Sequence, residues 1–210
     1  YIDATNLIVA PGFIDVHTHA VRGIFDVPTA DAFLYQGVTT LTDGNDGSSP
    51  FPIGKHYQKI EEIGISPNWA VFVGQGTIRE EVMGLENRAP TSIGLEKMKE
   101  LTKEAMKEGA LGLSSGLFYV PGNFSSKEEI IALAQIVGER GGIYISHMRD
   151  EADKILDSVA ETIEIGIAGG LPAHITHHKV IGKENWGQSL QTLAIDRKST
   201  RLNSSHLVIS

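Results

Sequence analysis

Two histidines one residue apart are the first side chains in this sequence whose type and spacing could do chemistry. His17 and His19 directly follow the largely apolar run 13–16, and Pro11 with Gly12 marks a turn into that run. Because successive side chains of a β-strand point to opposite faces, the two imidazoles leave on the same face. Neutral imidazole nitrogens on one face can share a divalent cation such as Zn²⁺. The pair therefore predicts half of a metal site, provided that other ligands meet it.

Polar side chains that follow other apolar runs are the candidates for the remaining ligands. They are Asp46 after the second run, His147 at the end of the fifth, and either His177 at the end of the sixth or the adjacent His178. Asp46 is also typical of a tight turn, so its pattern alone fits either role. Only one of the two adjacent histidines can face the same side as the other ligands, and the alternation leaves that choice open.

Four other side chains have both a functional and an ordinary interpretation. Lys179 and Arg149 each stand two residues beyond a candidate ligand and are expected to face the same side as that ligand. Each could bind a substrate carboxylate or could be a surface cation. His174 is expected to have a structural role. His56, in a helical segment with neighbouring lysines, is expected to be exposed to solvent.

Six short apolar runs, each followed by a polar tip, are the elements that must position these side chains. The runs predict strands at 12–16, 37–42, 69–74, 109–114, 142–147 and 172–177. Apolar residues at helical spacing predict helices at 53–63, 93–108, 126–138 and 151–168. Strands that alternate with helices form βαβ units, so the sequence predicts a parallel sheet.

The position of the polar residues distinguishes between the two architectures that such units can form. In a (β/α) barrel the carboxyl ends of all strands surround one site, whereas a doubly wound sheet binds its ligand in a crevice that few strands reach. Polar residues follow every run here, and no glycine-rich phosphate motif follows the first run. The sequence therefore predicts an α/β fold, a partial TIM-like (β/α) barrel of about six of the eight units.

Composition and charge exclude several classes of protein. The chain has 210 residues, of which 41% are hydrophobic and 21% charged, and its net charge is −8. These values are typical of a globular protein, and the acidic balance argues against a nucleic-acid partner. No apolar run approaches the roughly 20 residues that a membrane span needs. The chain has no cysteine. Localisation, whether cytoplasmic or periplasmic, and oligomeric state stay open.

Several segments together resemble a known enzyme family. The sequence Pro-Gly-Phe-Ile-Asp-Val-His-Thr-His at 11–19 is similar to the first-strand signature of the amidohydrolase superfamily. Segments similar to its N-acyl-D-amino-acid deacylase branch, the D-aminoacylases, lie at 36–40, 82–84, 109–119, 146–151 and 176–179. The resemblance covers residues 1–190.

The resemblance implies a division of the chain into three parts. Residues 1–10 would be the remnant of an N-terminal β-sandwich that flanks the barrel, and residues 11–195 would be the partial barrel. Residues 196–210 have no apolar periodicity and resemble the translation of a sequencing-library adapter. We therefore expect a non-native tail there.

The resemblance also implies roles for individual residues. Metal ligands for one or two zinc ions would be His17, His19, His147 and His177, and residues that handle the substrate would be Lys179, Tyr119 and Arg149. Asp46 stands where the family usually has a bridging cysteine, and we expect it to be a ligand too. Because a carboxylate oxygen is a harder donor than a thiolate, this centre can differ from the family in its metal preference.

The reaction implied by the resemblance is hydrolysis of a C–N amide bond, other than a peptide bond, in a small N-acyl-D-amino acid. The family's catalytic aspartate, at the end of an eighth strand, has no counterpart here, so we expect the chain alone to be inactive and poorly folded. A hydantoinase-like or isoaspartyl-dipeptidase-like enzyme is a weaker alternative, because such enzymes typically carry a carboxylated lysine where Ser114 and Ser115 stand. A non-catalytic metal-binding module is the alternative outside the enzymes.

Overall fold

Parallel β-strands form the centre of the fold in the computed structural model, which describes residues 1–202 and 208–209. The strands are β1 (Phe13–Asp15), β2 (Val38–Asp43), β3 (Asn68–Val71), β4 (Val73–Gly74), β5 (Gly112–Gly116), β6 (Ile143–His147), β7 (Ala173–Ile175) and β8 (Val208–Ile209). They pair in parallel in the orders β1-β2-β3 and β4-β5-β6-β7-β8. Phe72 alone separates β3 from β4, and its N–H donates to the carbonyl of Asp43 at the end of β2. The two sheets therefore follow one another, and their carboxyl ends point the same way.

Helices follow most of the strands, as parallel connections require. They are α1 (Asp31–Leu34), α2 (Ile53–Ile63), α3 (Gln75–Met83), α4 (Ser92–Lys107), α5 (Lys127–Gly138), α6 (Ile155–Gly169) and α7 (Ser189–Leu202). The four helices predicted from the sequence are α2, α4, α5 and α6. The apolar pattern does not predict α3, because the buried face of that helix includes Gln75, Gly76 and Arg79 rather than a continuous apolar stripe.

Apolar side chains between the strands and the helices form the main core. The strands contribute fully buried residues such as Val71, Leu113 and Tyr144, and the helices contribute residues such as Met98 and Leu133. Burying a side chain of this size typically stabilises a fold by about 1.5–3 kcal/mol. The core thereby fixes the positions of the strand ends, where the polar residues lie.

The two ends of the chain differ from the barrel segment. Residues 1–10 form no helix or strand, and their assignment to a β-sandwich stays a prediction. Helix α7 continues through residues 196–202, and β8 pairs with β7, so part of the expected tail has regular structure. Residues 203–207 and 210 of that tail lie outside the described residues. None of the helices in the described part of the chain is both long enough and apolar enough to cross a bilayer.

Candidate metal centre

Asp46 lies at the centre of four imidazoles that come from distant parts of the chain. Its Oδ2 lies 3.4 Å from His17 Nε2 and 3.2 Å from His19 Nε2. Its Oδ1 lies 3.7 Å from His147 Nδ1 and 3.6 Å from His177 Nε2. The structure therefore brings together all five residues that we expected to be ligands. Each carboxylate oxygen faces one pair of histidines.

The segment after β1 positions the first pair. The His17 N–H donates to Asp15 Oδ1 at 3.1 Å, which fixes the chain as it leaves the strand. Thr18, between the two histidines, is buried, and its hydroxyl donates to the Thr42 carbonyl at 2.7 Å. Thr18 thus faces β2, and His17 and His19 on either side of it turn toward the carboxylate, so the alternation continues past the end of β1 because Thr18 is held in place.

The loop after β2 turns sharply at Asp46. Asp46 and Gly47 have φ angles of 55° and 77°, in the left-handed region that few side chains adopt. A Cβ on Gly47 would lie 2.5 Å from the backbone nitrogen of Gly116. The Asn45 amide donates to the Thr18 carbonyl at 2.8 Å, which ties the loop to the first pair of histidines. The backbone of Asp46 therefore forms a turn, and its side chain also reaches the imidazoles, so the turn does not exclude the predicted ligand role.

The second pair comes from the ends of β6 and β7. His147 is buried at the end of β6, its ring centroid lies 4.7 Å from that of Tyr119, and its Nδ1 lies 3.4 Å from the Tyr119 hydroxyl. His177 lies two residues beyond β7, with a φ of 37°. Of the two adjacent histidines, His177 faces Asp46, and none of the described contacts joins His178 to that carboxylate.

Glu151 belongs to the cluster, although no sequence pattern points to it. Its side chain is only 4% exposed, and its Oε1 lies 3.2 Å from His177 Nδ1. Its Oε2 lies 3.8 Å from His147 Nε2. Lys179 Nζ donates to Glu151 at 2.7 Å, so the predicted lysine does lie beside the histidines. The spacing of four residues from His147 to Glu151 carries information in a helix, but this segment is a loop.

Arg149 does not face the cluster, so its predicted position is wrong. Its guanidinium binds the Glu161 carboxylate on α6, with distances of 2.8 and 3.0 Å, and donates to the carbonyls of Asn123 and Ser125. Strand β6 ends at His147, and side chains beyond a strand no longer follow its alternation. Arg149 therefore ties loops to α6.

Two further histidines lie outside the cluster. His56 is buried, and its Nε2 accepts a hydrogen bond of 2.9 Å from Trp69 Nε1, so the expectation of an exposed side chain is wrong. The neighbouring lysines belong to the exposed side of α2, but His56 belongs to its buried face with Ile53 and Ile60. His174 lies on β7 and is half-buried.

Burial and the surrounding imidazoles set the charges in the cluster. Burial alone would raise the pKa of Asp46, but the neighbouring imidazoles of His147 and His17 hold that pKa well below its usual range. Burial lowers the pKa of His177, and nearby Lys179 lowers it further. The cluster therefore favours an ionised carboxylate and a neutral imidazole at His177, which are the forms that bind metal ions.

The donor atoms of the cluster fit a divalent cation. His17, His19 and Asp46 form one group and Asp46, His147 and His177 form another, with the ligand atoms of each group within 4.8 Å of one another. Asp46 Oδ1 is buried without a hydrogen-bond partner, which is costly unless a cation meets it. Imidazole nitrogens and carboxylate oxygens are the usual zinc ligands of catalytic sites. The geometry thus supports one or two divalent ions.

A cavity of about 380 Å³ opens beside the cluster. Its walls come from the loops after β1, β2 and β5 and from the first turn of α3, and they include His19, Asp46, Thr77, Tyr119 and Gly122. Pockets for small organic ligands typically have volumes of about 300–1,000 Å³. A small molecule can therefore occupy the space next to the Asp46 carboxylate.

Comparisons with known proteins connect this geometry to characterised enzymes. No family model matches the chain. A D-aminoacylase of Alcaligenes xylosoxydans xylosoxydans is 36% identical over 217 residues, which cover 92% of this chain and 45% of that protein. A D-aminoacylase structure solved to study its binuclear metal centre matches with a TM-score of 0.89 and 32% identity, over 95% of this chain and 47% of that one. The N-acyl-D-glutamate deacylase of Bordetella bronchiseptica, solved with zinc and a phosphonate inhibitor, matches with a TM-score of 0.90 and 30% identity over the same shares.

These similarities confirm the predicted fold and the predicted type of metal centre. The neighbouring structures are amidohydrolases with a (β/α) barrel, and this chain corresponds to a part of such a barrel. The chain spans about half the length of the curated relatives it matches. Their binuclear and zinc-containing centres agree with the two groups of ligands around Asp46. The chain is a homologue of the D-aminoacylases and other N-acyl-D-amino-acid deacylases of the amidohydrolase superfamily.

Proposed function

We propose that this chain contributes the metal-binding half of an active site that hydrolyses N-acyl-D-amino acids. The observation that carries the proposal is the Asp46 carboxylate, whose buried Oδ1 lacks a hydrogen-bond partner although four histidines surround the group. Leaving such an oxygen unsatisfied is costly in a protein that binds no cation. D-aminoacylase and N-acyl-D-glutamate deacylase, which this chain resembles, indicate the class of substrate.

The two groups of donors assign a role to each ligand. His17 and His19 would hold one ion with Asp46 Oδ2, and His147 and His177 would hold a second ion with Asp46 Oδ1. A divalent ion supplies Lewis acidity to an amide carbonyl and to water. Because Asp46 replaces the bridging cysteine of the family, we expect this centre to accept oxygen-preferring ions such as Mn²⁺ more readily than a thiolate centre does.

Lys179 and Tyr119 are the described residues that we assign to substrate binding. Lys179 lies beside His177, and its ammonium suits the α-carboxylate of an N-acyl amino acid. Tyr119 lines the cavity next to His147. Burial raises the pKa of Tyr119, and the charges of Asp46 and Glu151 raise it further, so its hydroxyl stays protonated and can donate to a substrate oxygen.

The general base of the reaction is not among the side chains that we assign here. Asp46 and Glu151 both face histidines, so neither is placed to exchange protons with a substrate. The resemblance implies a catalytic aspartate at the end of the last strand of the family's barrel, and this sequence shows no counterpart of that aspartate. We therefore propose that the 210 residues do not turn over substrate alone and that the full-length protein does.

The direct test uses the full-length protein after removal and return of metal. The substrates are N-acetyl-D-amino acids with apolar and acidic side chains, their L-enantiomers, a hydantoin and an isoaspartyl dipeptide. We expect Zn²⁺ or Mn²⁺ to restore the release of D-amino acid by at least 10²-fold over the stripped protein, since metal activation supplies several kcal/mol.

Each other outcome has a definite meaning. Metal binding without hydrolysis of any substrate would contradict the proposal and favour a non-catalytic metal-binding module. Preferred cleavage of the hydantoin or the isoaspartyl dipeptide would move the protein to another amidohydrolase class. Metal-dependent release of amino acid by the 210-residue chain itself would show that the missing aspartate is not required.

A further inference from the structure

We propose that Ser114 is a positioning residue, which holds the turn at residues 44–48 in the conformation that directs the Asp46 carboxylate toward the four histidines. The inference rests on the proposed function, because it requires Asp46 to be a metal ligand. It adds to that function a residue outside the candidate ligands, which fixes the one ligand that both groups of histidines share. Two hydrogen bonds of one buried hydroxyl carry it.

The turn places the side chain of Asp46 in a backbone conformation that is normally left to glycine. The Ser48 N–H donates to the Asn45 carbonyl at 3.1 Å, which leaves Asp46 and Gly47 as the two central residues. Their φ angles are 55° and 77°, and a side chain in this region costs free energy relative to glycine. Such a conformation persists when the surrounding structure determines it. The position of the carboxylate therefore depends on what holds the turn.

Ser114 forms a hydrogen bond on each side of Asp46. Its side chain is fully buried on β5, and its hydroxyl accepts from the Gly47 N–H at 3.2 Å and donates to the Gly44 carbonyl at 2.5 Å. A hydroxyl has one proton to donate, so these bonds use its donor and one of its acceptor sites. Gly44 and Gly47 are themselves buried, and no other described hydrogen bond reaches this carbonyl or this N–H. One side chain from a distant strand thus joins the two flanks of the candidate ligand.

Strand β5 also links the turn to the second pair of histidines. In the parallel pairing of β5 with β6, Gly116 lies beside His147. Ser114 stands two residues before Gly116, so both belong to the face of the sheet that carries His147. Gly116 lets the turn approach closely, because a Cβ there would lie 2.0 Å from the Asp46 carbonyl oxygen. The turn therefore rests on a strand that is hydrogen-bonded to β6, which fixes the carboxylate relative to His147.

Removal of the Ser114 hydroxyl should weaken both groups of ligands together. The Gly47 N–H and the Gly44 carbonyl would then be buried without a partner, which is costly, so the turn should rearrange to satisfy them. Asp46 moves with the turn, and its two oxygens lie 3.2–3.7 Å from the nitrogens of the four histidines. A carboxylate that leaves this position is lost to both groups.

The experiment compares Ser114→Ala with Ser115→Ala in the full-length protein. Ser115 is a matched control, because it is the next residue of β5 and is also fully buried. Its hydroxyl lies 2.6 Å from the Tyr144 hydroxyl and 3.0 Å from the Ser146 hydroxyl, on the other face of the sheet. Zinc affinity is measured by chelator competition, and the unfolding free energy is measured by urea denaturation. Hydrogen exchange of the turn is measured by mass spectrometry of the zinc-free protein.

For Ser114→Ala we expect zinc affinity to fall by about 10-fold at both groups of ligands, the lower end of the effect of residues that support metal ligands. Hydrogen exchange in the turn should be faster than in the wild-type protein. Ser115→Ala should lower the unfolding free energy but leave zinc affinity and exchange in the turn unchanged. Wild-type zinc affinity in a folded Ser114→Ala protein would overturn the proposal, and so would an equal loss of affinity in both variants.

A second variant covers the case in which Ser114→Ala does not fold. Ser114→Cys keeps a side chain of similar size, but a thiol is a weaker donor and acceptor than a hydroxyl. Mn²⁺ is the probe for this variant, since a thiolate can itself bind Zn²⁺ whereas Mn²⁺ prefers oxygen ligands. We expect a Mn²⁺ affinity below that of the wild-type protein, and an unchanged affinity would contradict the role of Ser114.

The outcomes separate this role from the proposed function. Metal affinity and hydrogen exchange need no substrate, so they test Ser114 even if no N-acyl-D-amino acid is hydrolysed. A wild-type protein that binds no divalent metal would refute the proposed function and the role of Ser114 together. Hydrolysis by a wild-type protein whose zinc affinity is unaltered in Ser114→Ala would refute only the role of Ser114.

Discussion

Two carboxylates in this protein, the buried Glu129 and the half-buried Asp46, have opposite surroundings. Glu129 on α5 binds the fully buried guanidinium of Arg79, and it accepts hydrogen bonds of 3.0 Å from Gln75 and Ser125. Asp46 is surrounded by imidazoles, and its Oδ1 has no hydrogen-bond partner. The chain itself supplies the cation for one carboxylate and supplies only neutral or titrating donors for the other.

The difference separates a structural carboxylate from a ligand. A buried charge is retained when it is paired and its hydrogen bonds are complete, and the Glu129 carboxylate meets both conditions, although Arg79 Nε and Gln75 Oε1 beside it have no hydrogen-bond partner. It joins α3 to α5, and Arg79 also donates to the carbonyls of Glu86 and Arg88 in the following loop. The Asp46 cluster meets neither condition with the atoms of the chain. A bound cation would complete the Asp46 cluster. Variants of the Glu129 network and variants of Asp46 can each test this contrast.

The largest effect is expected from breaking the structural pair. Arg79→Met leaves the Glu129 charge buried without its cation, and such losses typically cost about 3–5 kcal/mol of unfolding free energy. Because Arg79 lies outside the histidine cluster, the zinc content of the folded fraction should stay at the wild-type value. Urea denaturation and metal analysis of the full-length protein measure the two quantities.

The double variant Arg79→Met with Glu129→Leu serves as the control. Removing both partners avoids the uncompensated charge, so much of the lost stability should return. Stability that stays low in the double variant would show that packing, rather than charge, accounts for the loss. A drop in zinc content in Arg79→Met would mean that the two carboxylates are not independent.

The second-largest effect on stability is expected from zinc binding at the Asp46 cluster. Free zinc at 100 times its Kd should stabilise the metal-stripped wild-type protein by about 2.7 kcal/mol, because zinc binds only the folded state in this scheme. Asp46→Asn keeps the size of the side chain but removes the charge shared by both groups of ligands. The shift in unfolding midpoint with added zinc should therefore disappear.

Metal stoichiometry checks the same residue without denaturation. In Asp46→Ala the metal content should be lower than in the wild-type protein, whereas in Arg79→Met it should not. An unchanged metal stoichiometry in Asp46→Ala would return this residue to a turn role alone, which its φ of 55° already supports.

The sequence predicts the residues of the Asp46 cluster much better than it predicts the Glu129 network. His147 is the last residue of β6, where the period of two and the common direction of parallel strands determine its side. His17 and His19 lie just beyond β1 and keep the expected side because Thr18 between them is held against β2. Asp46 was expected at the same edge, although only the structure shows that its two oxygens divide the histidines into pairs.

The contacts that sequence could not predict lie in loops or join distant charges. Arg149 and Glu151 follow the end of β6, where no periodicity assigns a direction, and the structure turns one away from the cluster and the other into it. Arg79 and Glu129 are 50 residues apart, and a charged residue in a helix is ordinarily expected at the surface. Only the structure shows that these two side chains, one on α3 and one on α5, meet.

The smallest effect extends the comparison from carboxylates to imidazoles. His56 resembles Glu129 rather than Asp46, because the Trp69 N–H satisfies its Nε2 within the chain. Burial lowers the pKa of His56, and nearby Lys59 lowers it further, so the folded state binds fewer protons at this ring than the unfolded state. Its contribution to stability is therefore complete above the unfolded pKa of about 6.5 and is lost as the pH falls below that value.

A glutamine at position 56 can still accept from Trp69 but does not titrate. Between pH 7 and pH 5, the zinc-free wild-type protein should therefore lose about 1 kcal/mol more stability than His56→Gln, the net worth of a typical hydrogen bond. Urea denaturation at both pH values measures the difference, and common losses from the clustered histidines cancel in it. Parallel losses in the two proteins would show that His56 is not held neutral by its surroundings. A metal-binding histidine would behave differently, because added zinc would change its titration and would leave that of His56 as it was.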